Sequence, residues 1–157
     1  MKRLFGVLLA VLLSLSIVSG AWAVGTASVT DVKKVYVLTQ VKRVVITITW
    51  VDDNAGTTLA INPATYQIQG WYLYSAETNP SNVTAPTDNY DITLIDADGL
   101  DIAGGVLMNR DTANTELVNI GTATHGYPII RGPFTFTLSG NAVVGGTGTC
   151  ILTFVSD

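Results

Sequence analysis

The chain reads as an all-β protein, an antiparallel β-sandwich or small barrel of about seven or eight short strands. Three observations predict this. Apolar and polar residues alternate with period two over short stretches, as in VKRVVITITWV at positions 41–51. Turn-forming clusters rich in Gly, Asn, Asp and Pro separate those stretches. Polarity is carried by Thr, Asn, Ser and 15 Gly, while only 13% of residues are charged, about half the usual share for a soluble domain.

The N-terminus does not belong to this pattern. Met1-Lys2-Arg3 is a short basic start, Leu4 to Val18 is apolar, and Ala21-Trp22-Ala23 is an A-x-A cleavage pattern. Basic, apolar and small-residue regions in that order read as a secretory signal peptide over 1–23. The apolar run is short of the roughly 20 residues a spanning helix needs. A retained membrane anchor is the alternative. The mature chain, 24–157, is expected to be a single β-sandwich domain. Removing 1–23 takes away Lys2 and Arg3 and leaves six basic residues against twelve acidic, a net charge of −6.

The strands follow in order. Val44, Ile46, Ile48 and Trp50 share one face of the first clear strand, with Val45, Thr47, Thr49 and Val51 on the other. Asp52 to Gly56 is turn chemistry, Thr57 to Ile61 a short strand, and Asn62-Pro63 a break. Thr65 to Tyr74 is expected as another strand, with Tyr72 and Tyr74 opposite Trp71. Thr78 to Asn89 is a loop, and Tyr90 to Ile95 a strand that turns Tyr90, Ile92 and Leu94 one way. Asp96-Ala97-Asp98-Gly99 is a tight turn, and Asp111 to Glu116 a loop or one helical turn. Pro128 to Arg131 is short and extended. Phe134, Phe136 and Leu138 mark a strand with one buried face, and Thr147 to Val155 is the last strand.

Composition also excludes. One Cys rules out an intrachain disulfide framework, and one His rules out a multi-histidine metal cage. The acidic balance argues against nucleic acid as a partner. Cys150 sits in a strand and reads as a small apolar core residue, the alternative being an intermolecular disulfide. No G-x-S-x-G elbow, H-E-x-x-H helix or glycine-rich phosphate loop is present, and the chain is expected not to be an enzyme.

Several residues remain as candidates for binding. Asp96, Asp98 and Asp101, with Asp91 a strand earlier, offer oxygen ligands in a spacing that could hold calcium. Asp-x-Asp-Gly is also what a β-turn prefers on conformational grounds, and no other cofactor is expected. Trp71, Tyr72 and Tyr74, with Trp50, could stack on sugar rings or simply fill a core. His125, in THGYP, reads as an exposed loop residue without a visible nucleophile to serve. Asn82-Val83-Thr84 matches a glycosylation sequon. Lys33, Lys34, Lys42 and Arg43 hold four of the six mature basic residues within eleven positions. They could dock on an acidic partner, or guard an edge strand against aggregation.

The stretch from Thr78 to Glu116, TNPSNVTAPTDNYDITLIDADGLDIAGGVLMNRDTANTE, resembles a small group of bacteriophage and prophage proteins. Their signature, TNP…APTDNYD-x-x-L-x-D-x-DG-x-D-x-x-GG…NRDTANTE, is met from Thr78-Asn79-Pro80 and Ala85 to Asp91 through Leu94, Asp96, Asp98, Gly99, Asp101, Gly104 and Gly105 to Asn109 and Arg110. Gly132 to Thr137 is similar to the group's GPLTLTV segment. The resemblance implies a capsid- or tail-associated accessory protein, encoded among virion structural genes. An export signal departs from that pattern, since virion proteins assemble in the cytoplasm. It implies an exported copy, or a viral product acting at the cell envelope.

The expectation is therefore a non-enzymatic structural or surface-contact protein, virion-associated or exported to the periplasm, medium or cell surface. Its partners would be virion or envelope proteins or further copies of itself. The loops Thr78–Asn89 and Asp111–Gly126 would make the contacts, because loops on a rigid scaffold usually carry recognition. The alternative is a secreted glycan- or surface-binding module, calcium-assisted or not.

Overall fold

The computed structural model describes residues 25–37, 40–121 and 126–157. The segment read as a signal peptide and His125 both lie outside the described residues. The strands are β1 (Thr26–Val37), β2 (Gln40–Asp52), β3 (Thr57–Ile61), β4 (Tyr72–Pro80), β5 (Asp91–Asp96), β6 (Glu116–Asn119), β7 (Phe134–Ser139) and β8 (Gly146–Val155). One sheet has the order β1-β2-β8-β4-β6 and the other β3-β7-β5, with every pairing antiparallel. The described residues are nearly all β, in two sheets arranged as in a β-sandwich, and they form no closed barrel.

Period two decides which side chains form the core. Val44, Ile46, Ile48 and Trp50 of β2 and Cys150, Leu152 and Phe154 of β8 are fully buried on the inner face of the larger sheet. Ile92 and Leu94 of β5 and Phe134, Phe136 and Leu138 of β7 meet them from the smaller one. Each such side chain contributes about 1.5–3 kcal/mol relative to an exposed position. The outer face carries Thr47, Thr49, Thr147, Thr149 and Thr153 among Val45, Val51 and Ile151, all half-buried or exposed.

Where a large ring enters, its neighbour is small. Trp50 pairs with Gly148 across β2 and β8, and a Cβ at Gly148 would stand 2.5 Å from Trp50 Cζ2 and 3.0 Å from the Asn79 carbonyl. Tyr90 meets the same ring with centroids 5.6 Å apart and planes at 52°.

Two expectations need correction. The strand expected over 65–74 is a four-residue helix, α1 (Pro63–Tyr66), followed by a turn and then β4. Asn62 caps the helix by accepting from the Ala64 N–H at 3.0 Å, Pro63 occupies its first turn, and Gln67 ends it in the left-handed region at φ 61°. The loop expected from Thr78 begins at Ser81 instead, because Thr78, Asn79 and Pro80 continue β4 opposite Cys150, Thr149 and Gly148. Of the two alternatives for 111–116 the loop is the one formed, over Asp111 to Thr115, and Glu116 opens β6.

The sheet edges are blunted. β1 is the outermost strand of the larger sheet and carries Lys33 and Lys34, with register shifts at Val29/Asp31 and Val35/Tyr36. Lys33 faces Asp31 at 3.4 Å and Lys34 donates to Gln67 Oε1 at 2.6 Å. Bulges and lysines on an exposed strand discourage pairing with other chains, which fits the guarded-edge reading of this basic cluster. At the other edge β6 has only four residues. Residues 101–110 cover the free edge of β5 through Ile102 N–H to Leu94 O (2.8 Å), Ile92 N–H to Leu107 O (3.0 Å) and Arg110 N–H to Tyr90 O (2.8 Å).

Candidate functional site: one loop-built end of the sandwich

Register places the loops. Asp91 pairs with Ser139 and Asp96 with Phe134, so the segment before β5 and the one after β7 share an end. Thr78 pairs with Glu116, which brings the loop before β6 to the same end. Residues 81–89, 111–115 and 140–145 therefore meet there, although they are far apart in sequence.

Short polar side chains lock these loops together. Thr112 Oγ1 donates to Pro86 O at 2.6 Å, and Thr115 Oγ1 donates to Asn79 Oδ1 at 3.1 Å. Asn141 Oδ1 accepts from the Thr87 N–H at 2.8 Å, and Thr87 Oγ1 accepts from the Ala142 N–H at 2.8 Å. Ser81 N–H donates to Thr147 O, and Thr147 N–H to Thr84 O, both at 2.9 Å. Underneath, the carboxylate of Asp52 is wholly buried and accepts from Asn141 Nδ2 at 2.8 Å and Thr57 Oγ1 at 3.3 Å. A buried polar group is tolerated when it is hydrogen-bonded; the Asn141 amide supplies that bond here, while the single Thr57 hydroxyl proton also has the Val51 carbonyl within reach at 3.1 Å.

The electrostatics of this end are local. Arg110 stands 3.4 Å from Glu116 and donates twice to Met108 O, at 3.1 and 2.8 Å. Glu116 Oε2 also accepts from the Asp111 N–H at 2.8 Å. The Asn114 side-chain amide and the Ala113 N–H hold the Asp111 carboxyl below its ordinary range. The surface left open is rich in hydroxyls and amides, with the carboxylates of Asp88 and Asp111 among them. It includes a shallow groove of about 450 Å³ between Thr49, Thr149, Asn79, Ser81 and Thr115. Such a surface offers preformed donors and acceptors but no concentrated charge.

Two of the three aspartates expected as calcium ligands, Asp96 and Asp101, serve the backbone. Asp96 Oδ1 accepts from the N–H groups of Asp98 (3.0 Å) and Leu100 (2.9 Å), with Gly99 at φ 82° completing the turn. Asp101 Oδ1 accepts from Leu94 (3.0 Å) and Ala103 (3.1 Å), and its Oδ2 from Gly105 (2.8 Å). Asp91 lies at the far end of β5, where it accepts from the Asn109 N–H at 2.8 Å. Among the described residues no three His, Cys, Asp or Glu side chains converge so as to hold a metal ion.

The expected aromatic group divides. Trp50 is core, and Trp71 packs against the core. Tyr72 is half-buried and donates through its hydroxyl to Asp157 Oδ2 at 3.2 Å, a bond that pushes its phenol up. Tyr74 is exposed and meets Tyr127 with centroids 5.0 Å apart and planes at 34°, at the end opposite the loop platform. Burial, then the nearby Tyr74, pushes the Tyr127 phenol up. Tyr127 had no signal in the sequence as a partner of Tyr74, since 53 residues separate them. The sequon residues Asn82 and Val83 are exposed on the platform, and Cys150 is a buried free thiol.

Fold and site together define an antiparallel β-sandwich with one end built as a hydrogen-bonded polar surface. No family model matches the chain, and no curated protein sequence matches it.

Proposed function

We propose that this protein is a non-enzymatic structural protein that works by surface contact, as an accessory component of a phage or prophage particle. The observation that carries the reading is the locked platform of residues 81–89, 111–115 and 140–145. The segments that carry the resemblance to phage proteins, Thr78 to Asp91 and Asn109 to Glu116, supply most of it, through Asn79–Thr115, Pro86–Thr112 and Arg110–Glu116. Loops fixed before contact lose little entropy on docking, which is what a permanent assembly interface needs. Its partners are structural proteins of the particle or envelope, and the export signal expected at the N-terminus would place it on the outer side of the membrane. Particles purified free of soluble protein should contain the chain in fixed stoichiometry. Its absence from them would sink the proposal.

A second reading rests on Tyr74 and Tyr127. An exposed, tilted aromatic pair is a surface on which the apolar faces of sugars pack, which favours a secreted glycan-binding module. A glycan array distinguishes the two, since only this reading expects binding that Tyr74→Ala removes.

A further inference from the structure

At the end opposite the loop platform, the turn after β5 and the segment leading into β7 enclose a half-open cavity of about 750 Å³. That size lies within the range of small-molecule sites, roughly 300–1,000 Å³. Its floor is apolar, with Ile102, Ile120, Ile130 and Phe134 turned toward it. The walls carry opposite charges. Asp96 and Asp98 stand on the turn and Arg131 on the segment leading into β7, while Asp101, which also lines the cavity, is engaged by three backbone N–H groups. The charges do not pair with each other, for the ion pairs among the described residues are Lys33–Asp31 and Arg110–Glu116. The hydrogen bonds described above engage Asp96 through Oδ1, and among the described residues Asp96 Oδ2 and the Asp98 carboxylate accept none. The Arg131 backbone carbonyl is occupied by Gln69 Nε2 at 3.4 Å, while its guanidinium has no partner among the described residues.

We propose that this cavity binds a zwitterionic small molecule with an apolar body, the class that includes short apolar peptides. An apolar floor alone would accept any hydrophobic molecule. A rim of carboxylates alone would favour a simple amine. Unpaired charges of both signs in one cavity select a ligand whose ammonium faces Asp96 and Asp98 and whose carboxylate faces Arg131. The apolar portion displaces water from the isoleucines between them. The charges are near solvent, so each contributes selectivity of about fivefold at most. This site is separate from the loop platform and does not depend on its role.

The test is titration of the full-length, ¹⁵N-labelled chain with leucyl-leucine, followed by amide chemical shifts. Saturable shifts at Ile102, Ile120 and Ile130 are expected, with about fivefold weaker binding for the N-acetyl and the C-terminal amide forms of the dipeptide. Arg131→Gln should erase the preference for the free carboxylate, and Asp98→Asn should reduce the preference for the free amine. Both substitutions are at exposed positions, and an unchanged spectrum away from the cavity verifies the fold. No saturable shift at millimolar dipeptide, shifts located elsewhere, or equal binding of the capped and free forms would each overturn the proposal.

Discussion

Asn141 Nδ2 donates to Asp52 Oδ2 at 2.8 Å across 89 residues of sequence, and the same amide's oxygen accepts from the Thr87 N–H. One side chain thus ties the end of β2, the loop before β5 and the loop after β7. A buried carboxylate that loses its donor keeps its full desolvation cost. Asn141→Ala should therefore destabilise the protein by about 1–3 kcal/mol in chemical denaturation. It should also speed amide exchange at Thr87. Unchanged exchange at Thr87 would show that the loops hold without this bridge.

Asp101 and Asp98 separate the structural role of the turn from a cation-binding one. Asp101 accepts three backbone N–H groups, whereas the Asp98 carboxylate accepts none among the described residues. Asp101→Ala should cost about 1–3 kcal/mol, while Asp98→Ala should stay within about 0.5 kcal/mol. Thermal midpoints with and without added calcium complete the test. A rise with calcium that Asp98→Ala abolishes would contradict the assignment.

Gly148 tests the packing of the core. A methyl there meets the Trp50 ring and the Asn79 carbonyl, neither of which can retreat from a paired strand. Gly148→Ala should cost about 1–3 kcal/mol through overpacking and alter the near-ultraviolet dichroism of Trp50. A silent substitution would mean that the two sheets part more easily than their contacts suggest.

Two buried acids contribute to a loss of stability at alkaline pH. Burial pushes the Tyr90 phenol up to about 12 from 10.0 and the Cys150 thiol up to about 12 from 9.0. The Tyr90 hydroxyl has no partner in hydrogen-bond geometry, although attraction to the nearby Thr78 hydroxyl offsets part of its desolvation. Both folded values lie above the unfolded ones, so the unfolded chain releases these protons first as pH rises. The stabilisation is complete below about pH 9 and is lost progressively toward pH 12. Tyr90→Phe should change stability at pH 7 by less than about 1 kcal/mol and shift the alkaline unfolding midpoint upward. Cys150 should resist thiol reagents until denaturant is added.

The core was largely legible in the sequence, because the alternation at Val44 to Trp50, Tyr90 to Leu94 and Phe134 to Leu138 is unbroken. β1 was hidden by its bulge at Thr30. Ala27 and Val29 precede that slip and Val32 follows it, so the inward residues change parity. β4 was displaced for a related reason. Its register shift between Leu73 and Ser75 buries Leu73 beside exposed Tyr74, and Asn79-Pro80 reads as a turn. Asn62-Pro63 did carry a helix-start signal, a capping side chain followed by proline, which a strand break mimics. The loops expected to make contacts, Thr78–Asn89 and Asp111–Gly126, could be recognised as loops only in part. Their meeting at one end could not be read, since Pro86 and Thr112 are 26 residues apart and Thr87 and Asn141 are 54. The sharing of a cavity by Asp98 and Arg131 was equally hidden, because only the register of β5 against β7 creates it.

On the proposed function, the protein docks its loop-built end on a particle component. Cross-linking mass spectrometry on purified particles tests it most directly. Cross-links from residues 81–89 and 111–115 to one structural protein are the expected result. Particles that lack the chain, or cross-links confined to the opposite end near Tyr74 and Tyr127, would contradict it.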